Sequence, residues 1–144
     1  MIKVLMAGEG GQGVQAIAEI LAKAAFLENK KALYIPNFGV EQRGGVSLAF
    51  VIIDNKPVVY PKFAKADILA LLSERSWERV KDYVTPQTKI IKEVNNMTVL
   101  GKINKLGKIV SQGNLIKALD QRFTKQFAQN PELRKLDIKA LTEV

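Results

Sequence analysis

The chain has 144 residues and contains neither cysteine nor histidine. Without cysteine it forms no disulfide, offers no thiolate and supplies no ligand to an iron–sulfur cluster. Without histidine it lacks the commonest general base and the commonest metal ligand, so a zinc site of the usual nitrogen and sulfur type is excluded. Catalysis by this chain alone would fall to carboxylates, lysine, tyrosine or hydroxyls. These absences predict neither catalytic nor metal-binding residues here. Aromatic residues are few, at 7%, and Trp77 is the single tryptophan. No apolar run approaches the roughly 18 residues of a membrane span. The first apolar run begins at Ile2 with no leader before it, so a cytoplasmic protein without a membrane span is expected.

What is present is basic: the net charge is +8. It is uneven, with 9 basic against 7 acidic residues up to Arg75 and 13 against 7 beyond it. Much of the excess lies between Lys89 and Lys125. A solvated helix face accounts for such a pattern, as would contact with an acidic partner or a phosphorylated cofactor. The stretch has few stacking aromatics and no nucleic-acid module motif, so no nucleic-acid partner is expected.

Glycine is concentrated rather than scarce. Gly8-Glu9-Gly10-Gly11-Gln12-Gly13 follows the apolar run Ile2 to Ala7. It precedes a segment, Val14 to Phe26, whose apolar residues Val14, Ile17, Ala18, Leu21, Ala24 and Ala25 fall on one helical face. Strand, glycine turn and helix aim free backbone N–H groups and a positive helix end at the turn, a natural place for a phosphate or carboxylate. The spacing fits G-x-G-x-x-G, but a dinucleotide site also needs an acid at the end of the second strand. That strand, Ala32 to Ile35, runs into Pro36-Asn37-Phe38-Gly39, and the first acid is Glu41. No G-K-[ST] follows either, which argues against nucleoside triphosphate hydrolysis. A purely structural reading also holds for the loop: the glycines let helix and sheet approach closely.

Further along, Pro36 to Gly45 reads as a loop. Val46 to Ile53 and Val58 to Tyr60 read as a β-hairpin, and Asp67 to Leu72 as a buried parallel strand. A helix capped by Ser73 runs to about Tyr83, and a short strand covers Lys89 to Ile91. Helical periodicity then starts at Asn96, breaks at Ser111 to Asn114, and resumes over Leu115 to Phe127. Asn130-Pro131 opens a last helix to Leu141. Together these predict one α/β domain over residues 1–144. Its sheet is mainly parallel with helices on its faces, a β-hairpin insertion and a helical C-terminal tail.

Several segments resemble one family in order. Gly8-Glu9-Gly10-Gly11-Gln12-Gly13 is similar to its G-x-G-G-Q-G signature. Phe38-Gly39-Val40-Glu41-Gln42-Arg43-Gly44-Gly45 is similar to its F/Y-G-x-E-x-R-G-G/A signature. Tyr60-Pro61-Lys62, Ala66-Asp67-Ile68-Leu69 and Asn96-Met97-x-x-Leu100-Gly101 continue the match. The family is the gamma subunit, or gamma domain, of 2-oxoacid:ferredoxin oxidoreductases, which act on pyruvate, 2-oxoglutarate, branched-chain 2-oxoacids or indolepyruvate.

The resemblance implies a subunit of a complex that decarboxylates a 2-oxoacid, transfers the acyl group to coenzyme A and passes electrons to ferredoxin. Thiamine diphosphate and iron–sulfur clusters would belong to partner subunits: alpha, beta and, as a further candidate, delta. This chain would support assembly and the coenzyme A side, with coenzyme A its candidate ligand. The expected binding residues are Gly8, Gly10, Gly11, Gln12 and Gly13 with Glu41, Arg43, Gly44 and Gly45. In that reading Gln12 donates its amide to the anion, Arg43 makes bidentate contacts, and Glu41 pairs with Arg43 or a nearby N–H. A stand-alone nucleotide or acyl-CoA binding module and a purely structural adaptor stay open as alternatives. One departure is a strand and loop that family members carry before the Asn96 helix. Here only Lys92 to Asn95 intervenes, so either the chain is naturally short at this point or a segment is missing near Lys92.

Overall fold

A computed structural model describes residues 1–37, 45–59 and 63–144. The first strand, β1 (Ile2–Glu9), is central, and Val4, Leu5, Met6 and Ala7 are all fully buried, as its continuous apolar run requires of a strand covered on both faces. α1 (Val14–Leu27) buries the predicted face, Val14, Ile17, Ala18, Leu21, Ala24 and Ala25, together with Ile20. Then follow β2 (Lys31–Asn37), β3 (Val46–Asp54) and β4 (Ile68–Leu71). A four-residue helix, α2 (Trp77–Val80), sits between two 3₁₀ turns and leads to β5 (Lys89–Lys92). The chain ends in α3 (Asn96–Gly107), α4 (Gln112–Arg122), α5 (Thr124–Gln129) and α6 (Pro131–Thr142).

The strand order is β2-β3-β1-β4-β5. β4 runs parallel to both β1 and β5, while β3 is antiparallel to both β1 and β2. Every strand except β3 therefore points the same way. Because side chains alternate across a strand, the sheet builds two cores. Val4, Met6, Val51, Ile68 and Ala70 face one way and pack under α1 and α3 to α6. Leu5, Ala7, Phe50, Leu69 and Leu71 face the other, under Phe63, Ala66, Trp77, Val80 and Tyr83. There the rings of Phe50, Phe63 and Tyr83 meet edge to face, with centroids 5.3 to 6.3 Å apart. The second face thus has turns and one short helix where the first has a helical layer.

The α/β architecture and the parallel β1–β4 pairing agree with the sequence reading; several details differ. The antiparallel hairpin partner of β3 is β2, not residues 58–60: Val58 and Val59 carry no strand, and Tyr60 lies outside the described residues. β3 is flanked by β2 and β1, so neither of its edges is left for a third strand. Ser73 makes no capping bond, and the helix expected after it is broken. Ser111 to Asn114 begins a helix instead of ending one, because the Ser111 hydroxyl accepts the Asn114 N–H at 3.2 Å as an N-cap. The expected helix through Phe127 splits at Phe123, where the Thr124 hydroxyl donates back to the Asp120 and Gln121 carbonyls. Asn130 caps α6 as expected, its side chain accepting the Leu133 N–H, with Pro131 in the first turn.

Candidate functional site

The carboxyl ends of β1 and β4 lie side by side, and the glycine loop leaves the sheet there, where open α/β sheets place their ligands. The loop is held by its own backbone and by Gln12. The Gly10 N–H donates to the Gly45 carbonyl at 3.2 Å, and the Gln12 N–H to the Glu9 carbonyl at 3.2 Å. The Gln12 side-chain oxygen accepts the Glu9 N–H at 2.7 Å, and its amide nitrogen donates to the Leu72 carbonyl at 2.9 Å. Gln12 therefore ties the loop to the end of β4. One of the two amide hydrogens is used in this way, which leaves the other for a ligand; the short span of the turn brings the Glu9 N–H and the Leu72 carbonyl within reach of that side chain.

Gly11 has φ +90° and Gly13 φ +78°, backbone conformations that favour glycine. Gly13 is constrained twice, since a Cβ there would stand 2.3 Å from the Asn96 Nδ2. Gly8 is a close approach: a Cβ would meet Gln12 Oε1 at 2.7 Å and Leu72 Cβ at 3.0 Å. Gly10 and Gly11 look onto open space, with nothing within 4 Å of a Cβ on either. They border a cavity of about 630 Å³ that Gly13, Gln15, Gly45 and Ser47 also line. Among the described residues, no acceptor meets the backbone N–H groups of Gly11, Gly13, Val14, Gln15 or Ala16; the first helical bond runs from Ile17 to Gly13. These donors and the helix dipole favour an anion.

Sequence reasoning missed three supports of this site. Arg75, in the turn after β4, pairs with Glu9 at 3.1 Å and offsets that carboxylate beside the loop. Gln15 donates to Ser47 Oγ and the Leu48 carbonyl, both at 2.8 Å, and accepts from the Tyr34 hydroxyl. Burial raises the Tyr34 phenol above its usual range, which keeps it a donor. The third is Asn96 against Gly13; its place in a quoted motif was the available signal. Glu41, Arg43 and Gly44 lie outside the described residues, whereas Gly45 is brought to the loop. Among the described residues no group of three or more acidic side chains is placed to hold a metal ion, and no helix is long and apolar enough to cross a membrane.

Fold and site together define an α/β domain whose candidate binding surface is a backbone anion cradle, built without thiol, imidazole or metal ligands. The family model for pyruvate ferredoxin/flavodoxin oxidoreductase matches residues 3–95, and the chain belongs to that family. It is 31% identical, over 151 aligned residues, to the 2-oxoglutarate synthase subunit KorC of Methanocaldococcus jannaschii, with 81% of each chain covered. Other curated relatives are matched over less than half of their own length. Solved structures share the fold, two of them as follows. One is the gamma subunit of keto/oxoacid ferredoxin oxidoreductase from Geobacter sulfurreducens, with TM-score 0.76, 22% identity and coverage of 99% of this chain and 97% of that one. The other is the 2-oxoglutarate:ferredoxin oxidoreductase of Magnetococcus marinus, with TM-score 0.85, 18% identity and coverage of 99% of this chain and 30% of that one.

Proposed function

We propose that the chain is the gamma subunit of a cytoplasmic complex that oxidatively decarboxylates a 2-oxoacid, such as 2-oxoglutarate or pyruvate, to acyl-CoA with ferredoxin as acceptor. Its glycine loop faces an anionic group in that complex: a coenzyme A phosphate, or a carboxylate of the catalytic subunit. The observation that carries this reading is the run of backbone N–H groups at Gly11 and Gly13 to Ala16, without acceptors among the described residues and open to a cavity of about 630 Å³. Such a cradle suits phosphate or carboxylate oxygens. The Magnetococcus marinus enzyme, whose structure has 2-oxoglutarate, coenzyme A and succinyl-CoA bound, supports the choice of ligand class. Thiamine diphosphate and the clusters sit on the alpha and beta subunits, and on delta where present; this chain has no cysteine with which to ligate a cluster.

On this reading Arg43, from the second glycine-rich loop, would add contacts to the anion, and Glu41 would pair with Arg43 or with a nearby backbone N–H. The match to the Methanocaldococcus jannaschii subunit spans 151 aligned residues, more than the 144 of this chain, so that relative carries internal residues this chain lacks. We place the difference beside Lys92, where β5 passes to α3 through residues 93–95 alone.

The test is to capture the chain as bait from its own cells and assay the eluate. Iron–sulfur absorbance and coenzyme A-dependent oxidation of a 2-oxoacid with a viologen acceptor are expected, and a substrate panel names the acid. In the same complex Arg43→Ala should raise the KM for coenzyme A or weaken assembly. Unchanged assembly and kinetics would remove Arg43 from the site. A colourless single-chain eluate would overturn the subunit reading in favour of a stand-alone binding module.

A further inference from the structure

At the other end of α1 from the glycine loop lies a second groove, about 440 Å³, between the last turn of that helix and strand β2. Phe26, Leu33, Pro57 and Val58 line it. Phe26 is 66% exposed, and Val59, next along the chain, is 78% exposed. Phe26 and Pro57, both exposed, share this groove, and adjoining apolar side chains left open mark a contact surface more often than scattered single ones do. β2 pairs only with β3, so its outer edge is open among the described residues. Lys31 and Pro36 stand near its two ends and discourage addition of another strand. The groove is suited to side chains rather than to a backbone ladder.

Charge selects the occupant. The Lys23 ammonium lies 5.2 Å above the centroid of the Phe26 ring. Lys31 lines the groove, and Lys56 precedes Pro57. All three lysines are exposed, and among the described residues no carboxylate pairs with any of them. Lys30 is already held, 3.5 Å from Glu28. A second copy docking on the same patch would set these ammonium groups against their own duplicates, on a chain of net charge +8.

We propose that this groove docks a partner subunit through an apolar side chain inserted beside Phe26, rimmed by aspartate or glutamate facing Lys23, Lys31 and Lys56. The proposal rests on the reading of this chain as one subunit of a hetero-oligomer. The fourteen residues of α1 separate the groove from the glycine loop by about 20 Å, so each can be disabled alone.

The experiment titrates the purified chain into the remaining subunits of its own complex, purified without it, at low and high salt. Phe26→Ser and the combined Lys23→Glu, Lys31→Glu and Lys56→Glu variant should each raise Kd about tenfold or more. Wild-type affinity should fall as salt rises, and the lysine variant should lose that dependence. Circular dichroism and the melting temperature of both variants should match wild type, since the altered side chains are exposed. If wild type and both variants bind alike, the groove proposal is overturned and the proposed function stands. If wild type itself does not bind, both fall. Sedimentation showing a wild-type dimer that Phe26→Ser dissociates would assign the groove to a second copy and overturn the proposal.

Discussion

Gly11 and Gly13 both hold positive φ, but only Gly13 is also walled in. At Gly11 a methyl group would meet open space; at Gly13 it would lie 2.3 Å from Asn96. Gly11→Ala should cost about 1 kcal/mol of backbone strain. Gly13→Ala should cost somewhat more, about 1–2 kcal/mol, because the half-buried Asn96 side chain must also turn aside. Urea unfolding measures both, and equal midpoints for the two variants would refute the part assigned to Asn96. Glu28 is a second decisive residue. Its carboxylate is held at a pKa of about 2, chiefly by the Asn114 side chain and the Ser111 backbone N–H, with Lys30 adding to them against the effect of burial. A carboxylate lowered in this way stabilises the fold above its unfolded pKa, and that stability drains as pH falls from about 4.5 toward 2. Glu28→Gln should flatten the pH dependence of the melting temperature across that window. An unchanged acid limb would show that other groups carry it.

At the scale of elements, the seating of α6 depends on one position in α3. A Cβ at Gly101 would stand 2.1 Å from the Leu141 carbonyl oxygen and 3.0 Å from Val144 Cγ1. Leu141 itself is buried to 1% exposure, so α6 cannot slide away without opening the core. Gly101→Ala should destabilise the protein by about 1–3 kcal/mol. It should also speed hydrogen exchange across α6 while leaving β1 protected. Equal exchange in α6 would mean that the helix is held elsewhere. Another joint links the end of α1 to the start of α4, where Glu28 receives the Ser111 N–H and the Asn114 amide, and Lys30 donates to the Ile109 carbonyl. These bonds close the helical layer over β1 and β3.

For the whole molecule, the sheet is shared by two cores of unequal cover. β1 gives Val4 and Met6 to one and Leu5 and Ala7 to the other. Neither core can be lost while the other keeps its strands. Trp77 reports on the thinner layer, and the helices report on the thicker one. Tryptophan fluorescence and far-ultraviolet circular dichroism should therefore give one coincident unfolding transition. Separated midpoints would show that residues 63–84 open on their own. The glycine loop and the groove at Phe26 lie at opposite ends of α1, so the two proposed roles can be tested separately.

The sequence by itself determined the local units. The apolar run before four closely spaced glycines specified strand, turn and helix; the Asx and proline signals placed the start of α6; the absence of cysteine removed cluster chemistry from this chain. Periodicity and turn chemistry are local properties, and they survive folding where nothing competes. Tertiary structure decided what depends on distant neighbours. It set β3 between β2 and β1, which left Val58 and Val59 without a strand to pair with. It gathered the long helices on one face. It turned Gln12 inward to Leu72, a residue sixty positions away, and set Arg75 against Glu9. Those contacts follow from which strand ends meet, and β1 meets β4 only once the sheet has closed.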